Sequence, residues 1–413
     1  MAKKLIVIGG GAAGIFCAVN AARLNPGLKV IVMEKTGKLL SKVKVSGGGR
    51  CNVTHACFDI AEMSKHYPRG SNFVKKAFYT FFTSDTISWF EERGVKLKTE
   101  ADGRMFPVSN SSQTIIDCLL KEAARYEVEI LLNTEVNAIS HRHELFELHI
   151  AGREPISAAY LCVATGGYPK SAMFEWLKKT GHAIEEPVPS LFTFNLPRHP
   201  ICELMGISVA NVKVKILHTK LEENGPILIT HWGLSGPVIL RLSAWGARQL
   251  ASLSYDFTIG INWLYEKDYN DSSLRELFSS FREFHSSRKI ATYNFAELPN
   301  RLWLFLLSVS GVTSDMRFGD LPKKAENLLI KNLADYTVQV KGKTTFKEEF
   351  VTAGGIALAE IDHQTMMSKK LSGLFFAGEV MDVDGITGGF NFQHAWTSGF
   401  VAANAIAKMA SAI

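Results

Sequence analysis

Gly9-Gly10-Gly11-Ala12-Ala13-Gly14 carries the spacing G-x-G-x-x-G, which suits a backbone that must hold a pyrophosphate. Gly9 permits a tight turn, Gly11 lets the main chain approach phosphate oxygens, and Gly14 lets a helix pack close to its strand. A helix opened by Ala12 and Ala13 presents unpaired N–H groups and a partial positive charge to the anion. Glu34, with Lys35 beside it, stands about 20 residues beyond the last motif glycine, where an acid accepts ribose hydroxyls. Glycine spacing alone is a weak signal. Here Leu5 to Ile8 before it, Ile15, Ala18, Val19 and Ala22 after it, and Lys29 to Met33 ahead of the acid predict strand, helix and second strand in order.

Three further segments have chemical potential. Ser46-Gly47-Gly48-Gly49-Arg50-Cys51-Asn52 can turn several backbone N–H groups toward an anion, with Arg50 adding a permanent charge. Cys51 has no partner cysteine at redox spacing and reads as a small buried filler. Leu374 to Phe376 predicts a short strand running into Gly378-Glu379 and Asp382, then Gly388-Gly389 and an alanine-rich helix over 393–409. His231-Trp232-Gly233-Leu234-Ser235-Gly236-Pro237 is a glycine-rich turn in which His231 can move protons and Ser235 can hydrogen-bond a ligand; it serves equally as a turn before an apolar helix.

The elements that position these groups must come from more than one domain, because 413 residues exceed what one core of about 250 residues accommodates. Hydrophobic residues at 46% and charged residues at 21% exclude a disordered or collagen-like chain. The net charge of +6 is scattered without a like-charge block, and no cluster of basic and aromatic residues marks a nucleic-acid surface. Six dispersed cysteines without zinc or disulfide spacing predict a reducing compartment and no metal. The apolar run after Lys3 and Lys4 contains three glycines, and no stretch reaches the about 18 uninterrupted apolar residues of a membrane span. The expectation is a cytoplasmic protein with a small-molecule substrate, no nucleic acid and no membrane partner; the oligomeric state is open.

VIGGGAAGIFCA, SGGGRCNVT, GRMFPVSN, ATGGYPK, THWGLSGPVIL, TAGGIALAEID, TMMSK and LFFAGEVMDVDGITGGFNFQHAW occur in one order between residues 5 and 400. Together they resemble the bacterial BaiN-type, aminoacetone-oxidase-like NAD(P)/FAD-dependent oxidoreductases. The resemblance implies non-covalent FAD, with NAD(P)H as a transient electron donor. It implies that Gly9, Gly11, Ala12, Ala13, Gly14, Glu34 and Lys35 hold the ADP half. Val136, Thr165 and Gly166 would complete the adenosine side, and Ser46, Gly47, Gly49, Arg50, Cys51 and Asn52 would follow the pyrophosphate and ribityl chain. Gly378, Glu379 and Asp382 would approach the ribityl and pyrophosphate groups, and Gly389, Asn391, Phe392 and Gln393 the flavin ring. After Gly167 the chain lacks the longer Thr-Gly-Ser-Thr-Gly-Asp-Gly run usual in that family.

The fold class so implied is α/β: a Rossmann-like FAD-binding domain, of the glutathione-reductase-like FAD half, with an inserted β-barrel-like domain and a small helical subdomain. The FAD domain is placed at 1–189 and 347–413, the β-rich insert at 190–265 and 336–346, and the helical part at 266–335. Alternation in Val209 to Ile216 and Tyr336 to Val340 predicts insert strands, while Leu274, Leu277, Phe278, Phe281, Phe284 and Leu328, Leu329, Leu333 predict helices. No second G-x-G-x-x-G with an acid is present, so a nicotinamide would dock without a domain of its own. The expected reaction is hydride transfer from NAD(P)H through FAD to a small acceptor such as an activated C=C bond, with His231, Ser235 and Arg50 as catalytic candidates. An oxidase passing electrons to oxygen is one alternative, and a flavin-dependent RNA-modifying or flavin-sensing protein another.

Overall fold

A computed structural model describes residues 3–345 and 351–411; the expected boundary between 346 and 347 lies outside them. The chain forms two compact units, one of residues 1–190 with 346–413 and one of 191–345.

Lys4–Ile8 and Lys29–Met33 become strands because their runs of Leu, Ile and Val are buried on both faces of a parallel sheet. The five parallel strands lie in the order Leu374–Phe376, Tyr160–Val163, Lys4–Ile8, Lys29–Met33, Glu129–Leu131. The order reverses at Lys4–Ile8, whose next strand in sequence lies on one side and whose other neighbour comes from far down the chain. In open sheets of this kind ligands sit beyond the carboxyl ends at such a reversal. The first helix, Ala12–Leu24, and the long C-terminal helix, Phe390–Ser411, pack against each other. Gly399 makes that approach possible, since a Cβ there would stand 2.7 Å from the Ala13 carbonyl oxygen. A three-stranded antiparallel meander, Val136–Arg142, Leu145–Ile150 and Ile156–Ala158, follows Glu129–Leu131.

The second unit is a seven-stranded antiparallel sheet in the order Tyr336–Lys341, Asp256–Asn262, Ser208–Ile216, Glu222–Thr230, Gly233–Ser235, Thr193–Asn195, Lys343–Thr344. Its two edge strands are consecutive in sequence and separated by Gly342 alone. Gly342 donates to the Tyr255 carbonyl at 2.8 Å and accepts from the Asn195 N–H at 3.2 Å, which closes the sheet into the expected barrel-like form. Its φ of +87° is the left-handed conformation that the seam requires. Helices Asp271–Phe284, Asn300–Val309 and Lys323–Ala334 share one continuous core with the sheet through Leu274, Phe278, Trp303 and Leu329.

Two positions on the predicted helical stripes face outward. Phe284 is exposed because it is the last residue of its helix, and Leu328 is exposed because consecutive helical residues point about 100° apart and Leu329 takes the core. The segment expected as a turn before a helix is also different. His231 and Trp232 form the turn itself, while Gly233–Ser235 is a strand paired to Leu228–Thr230 and Phe194–Asn195. Gly233 allows this because a Cβ would stand 2.1 Å from the Phe194 carbonyl oxygen. The predicted helix after it runs Pro237–Trp245.

Candidate functional site

The motif glycines separate into two that pack and one that leaves room. A Cβ on Gly9, at φ +112°, would meet the Ala164 oxygen at 2.3 Å, and one on Gly14 would meet the Gly9 oxygen at 2.0 Å. A Cβ on Gly11 meets nothing within 4 Å. Gly11 is the N-cap of the first helix, whose first turn has no side-chain cap and no acid. An open backbone cradle at an uncapped helix start is what a pyrophosphate requires, so the residues fit a dinucleotide here.

Glu34 lies at the end of its strand beside this cradle. One carboxylate oxygen accepts from the Gly10 N–H at 2.9 Å, and the other from the Thr36 N–H at 2.9 Å and hydroxyl at 2.8 Å. A carboxylate offers about four acceptor sites, so capacity remains for a ribose hydroxyl. The Glu34 N–H bonds the Leu131 carbonyl and its own carbonyl accepts from Thr134, which brings the segment leading to Val136 alongside. The Lys35 ammonium is 5.8 Å from the Tyr168 ring centre, and Thr165 and Gly166 follow the strand that ends at Val163.

Gly47, Gly48 and Gly49 have φ of +59°, +68° and +83°, and Cβ atoms on the last two would meet no neighbour within 4 Å. Ser46 donates to the Val43 carbonyl, and the Cys51 N–H returns to the Ser46 carbonyl. The Arg50 guanidinium stacks on Phe106 at 4.0 Å and pairs with Glu100 at 2.6 Å, so its charge is shared with that carboxylate. Burial pushes the Cys51 thiol up to about 12, leaving it protonated and unreactive at neutral pH. All six cysteines are free.

The C-terminal segment meets these turns. Gly378 takes φ +75° against Ala13 and donates to Ser398 at 2.9 Å; Lys42 pairs with Glu379 at 2.6 Å; Glu379 also accepts from the Thr352 N–H. The Asp382 N–H donates to the Ile356 carbonyl. The Asn52 amide, oriented to satisfy both partners, bridges the Thr54 carbonyl and the Gly389 N–H. Asn391 forms a reciprocal pair with Gly385, and Gln393 accepts from Thr54 at 2.6 Å and Thr86 at 3.0 Å. Phe392 stacks on Trp396. Buried His394 is held down to about 4 by desolvation and is neutral, its Nε2–H donating to Gly378.

Arg50 and the cofactor candidates thus lie in the first unit, and His231 and Ser235 in the second. Sequence reasoning missed His55 and His66, which both stack on Phe390 at 4.7 and 4.4 Å, and the Arg69–Asp384–Ser190 cluster. His55 Nδ1–H donates to the Gly388 carbonyl, and burial lowers its pKa. His55 follows Asn52 by three residues, the one local hint. Arg69 and Asp384 are 315 residues apart and carried none. No helix among the described residues is long and apolar enough to cross a membrane.

A reversed-order parallel sheet, an uncapped glycine turn and a spaced acid define a dinucleotide-binding protein. A family model described as HI0933-like protein Rossmann domain matches residues 3–405, and the chain belongs to that family of FAD-binding oxidoreductases. A ribosomal RNA dihydrouridine synthase of Escherichia coli (strain K12) is 30% identical over 96% of both chains. A 3-dehydro-bile acid delta(4,6)-reductase of Clostridium scindens is 25% identical over 98% of this chain and 99% of its own. The 3-ketosteroid-delta4-(5alpha)-dehydrogenase of Rhodococcus jostii RHA1 shares the fold at TM-score 0.51 and 12% identity, over 97% of each chain. The protein is a FAD-dependent oxidoreductase.

Proposed function

We propose that the protein saturates a carbon–carbon double bond conjugated to a carbonyl, with NAD(P)H as electron source, and that this bond belongs to a uracil base of ribosomal RNA. The observation that carries the reading is end-to-end similarity to two relatives named for ribosomal RNA dihydrouridine synthesis, the second from Haemophilus influenzae at 29% identity over 98% of both chains. Uracil's double bond is polarised by its carbonyl, so a hydride adds at the β-carbon and a proton at the α-carbon while NAD(P)H is oxidised. Here the reading parts from the small-molecule, no-nucleic-acid expectation drawn from composition. A small polycyclic enone is the second reading, favoured by the bile acid reductase relative.

FAD, when bound, supplies two-electron transfer between donor and acceptor. This chain's residues bind and orient it. Gly9, Gly11, Ala12, Ala13 and Gly14 cradle the pyrophosphate, and Glu34 accepts a ribose hydroxyl. Lys35, Val136, Thr165 and Gly166 border the adenosine. Ser46 to Asn52, Gly378, Glu379 and Asp382 follow the ribityl chain, and Gly389, Asn391, Phe392 and Gln393 present the C-terminal helix to the flavin. The test is anaerobic incubation of FAD-loaded protein with NADPH and unmodified ribosomal RNA transcript, followed by nucleoside mass spectrometry. Dihydrouridine at a defined position is expected. Its absence, with reduction of a bile acid enone instead, would establish the second reading.

A further inference from the structure

The second unit contains a cavity of about 500 Å³ that the flavin site does not use. Among its lining residues are Arg198, His199, His231, Trp232 and Lys341, against one carboxylate, Glu203. They come from three segments that the barrel seam gathers: the Pro197-Arg198-His199-Pro200 loop, the His231–Trp232 turn, and the end of Tyr336–Lys341 beside Gly342. The Leu196 N–H donates to the Trp232 carbonyl at 2.8 Å, which fixes the loop to the turn.

Arg198, directly after Pro197, takes φ +59°, a left-handed conformation that costs a non-glycine residue about 1 kcal/mol. The Trp232 indole N–H donates to Thr193 at 3.1 Å, and the His231 ring stands edge-to-face on it at 4.2 Å. His199 Nδ1 accepts from the Ile201 N–H at 3.2 Å, so its proton is on Nε2, which makes it a neutral donor. Burial lowers its pKa and favours that form. Two basic side chains, a neutral donor and a large aromatic in one concavity match a phosphodiester with its adjacent base. The volume is far beyond the about 30 Å³ of a single water and is in the range that holds organic ligands.

We infer that this cavity binds a nucleotide of the substrate RNA, its phosphate at Arg198 and Lys341 and its base against Trp232, an assignment that rests on the ribosomal RNA reading above. The experiment measures anisotropy of a fluorescein-labelled single-stranded RNA oligonucleotide with full-length, FAD-loaded protein across a salt series. Arg198→Ala with Lys341→Ala should weaken binding about tenfold and reduce the log–log salt slope by about 1.4, the value for two lost phosphate contacts. Trp232→Leu should weaken binding about tenfold with the slope unchanged, since stacking releases no counterions. Circular dichroism and the flavin spectrum confirm folding; Arg198 and Lys341 are exposed, so the double variant remains informative if Trp232→Leu fails to fold. Wild-type affinity and slope in the double variant would overturn the inference, as would loss of NADPH binding with RNA binding intact. Turnover separates the two readings. If wild-type protein makes dihydrouridine and the double variant does so with the same KM, the cavity assignment fails and the function stands. If the double variant loses RNA binding but wild-type protein saturates no uracil, the function fails and the cavity assignment stands.

Discussion

Gly11 and Gly14 are three residues apart in one motif and carry opposite requirements. At Gly14 a methyl group would collide with the Gly9 carbonyl inside the protein, whereas at Gly11 the space is open on the protein side. Gly14→Ala should therefore lower stability by about 2 kcal/mol through overpacking. Gly11→Val should leave the unfolding midpoint of the FAD-free protein within about 0.5 kcal/mol of wild type, as expected away from packed contacts. The same valine occupies the pyrophosphate cradle, so FAD affinity should fall about a hundredfold, consistent with the loss of close backbone approach. Paired thermal melts and FAD titrations check both. A colourless Gly11→Val protein that is also unfolded would show that the residue packs, against the geometry.

Among the elements, the C-terminal helix is the most constrained. Gln393 is buried and accepts from Thr54 and Thr86, and its N–H makes a bond back to Gly389, so the N–H groups of Phe390, Asn391 and Phe392 precede the regular helical bonding. Proline is tolerated in that first turn because no helical hydrogen bond is lost there. Phe392→Pro should accordingly fold and keep FAD while removing one donor from the helix start. If that end faces the pyrimidine edge, it stabilises the negative charge of reduced flavin by about 1 to 2 kcal/mol, equivalent to about 20 to 40 mV for a two-electron couple. The variant should show a midpoint potential lower by up to that amount. Spectroelectrochemical titration measures it, and an unchanged potential in a folded, FAD-loaded variant would place the helix end elsewhere.

At the scale of the whole molecule, each unit has its own core, and the cofactor candidates all belong to the first. Calorimetry should resolve two transitions, of which FAD raises only one, by about 4 kcal/mol at a thousandfold excess over Kd. Trp303 is fully buried in the other core, and Trp303→Ala should lower the FAD-insensitive transition by about 3 to 5 kcal/mol. A single transition that moves with both perturbations would contradict independent cores.

The amino-acid sequence by itself determined the flavin unit, because its signals are local. Gly9 to Gly14, Glu34 and the strands around them lie within a few turns of chain, and each residue type has a steric or electrostatic reason that holds before any long-range contact forms. Helix periodicity likewise found Asp271–Phe284 and Lys323–Ala334, erring only at a terminal residue of the first, Phe284, and at the first of two adjacent leucines in the other, Leu328. Tertiary structure alone decided the rest. The barrel seam depends on Gly342 reaching both Tyr255 and Asn195, the buried Arg69–Asp384 pair joins segments 315 residues apart, and the aromatic ladder of His55, Phe390 and His66 forms only when the chain's two ends meet. The cationic and aromatic cavity was invisible for the same reason: Arg198, Trp232 and Lys341 are dispersed along the chain and become a cluster only when strand pairing brings their segments to one seam.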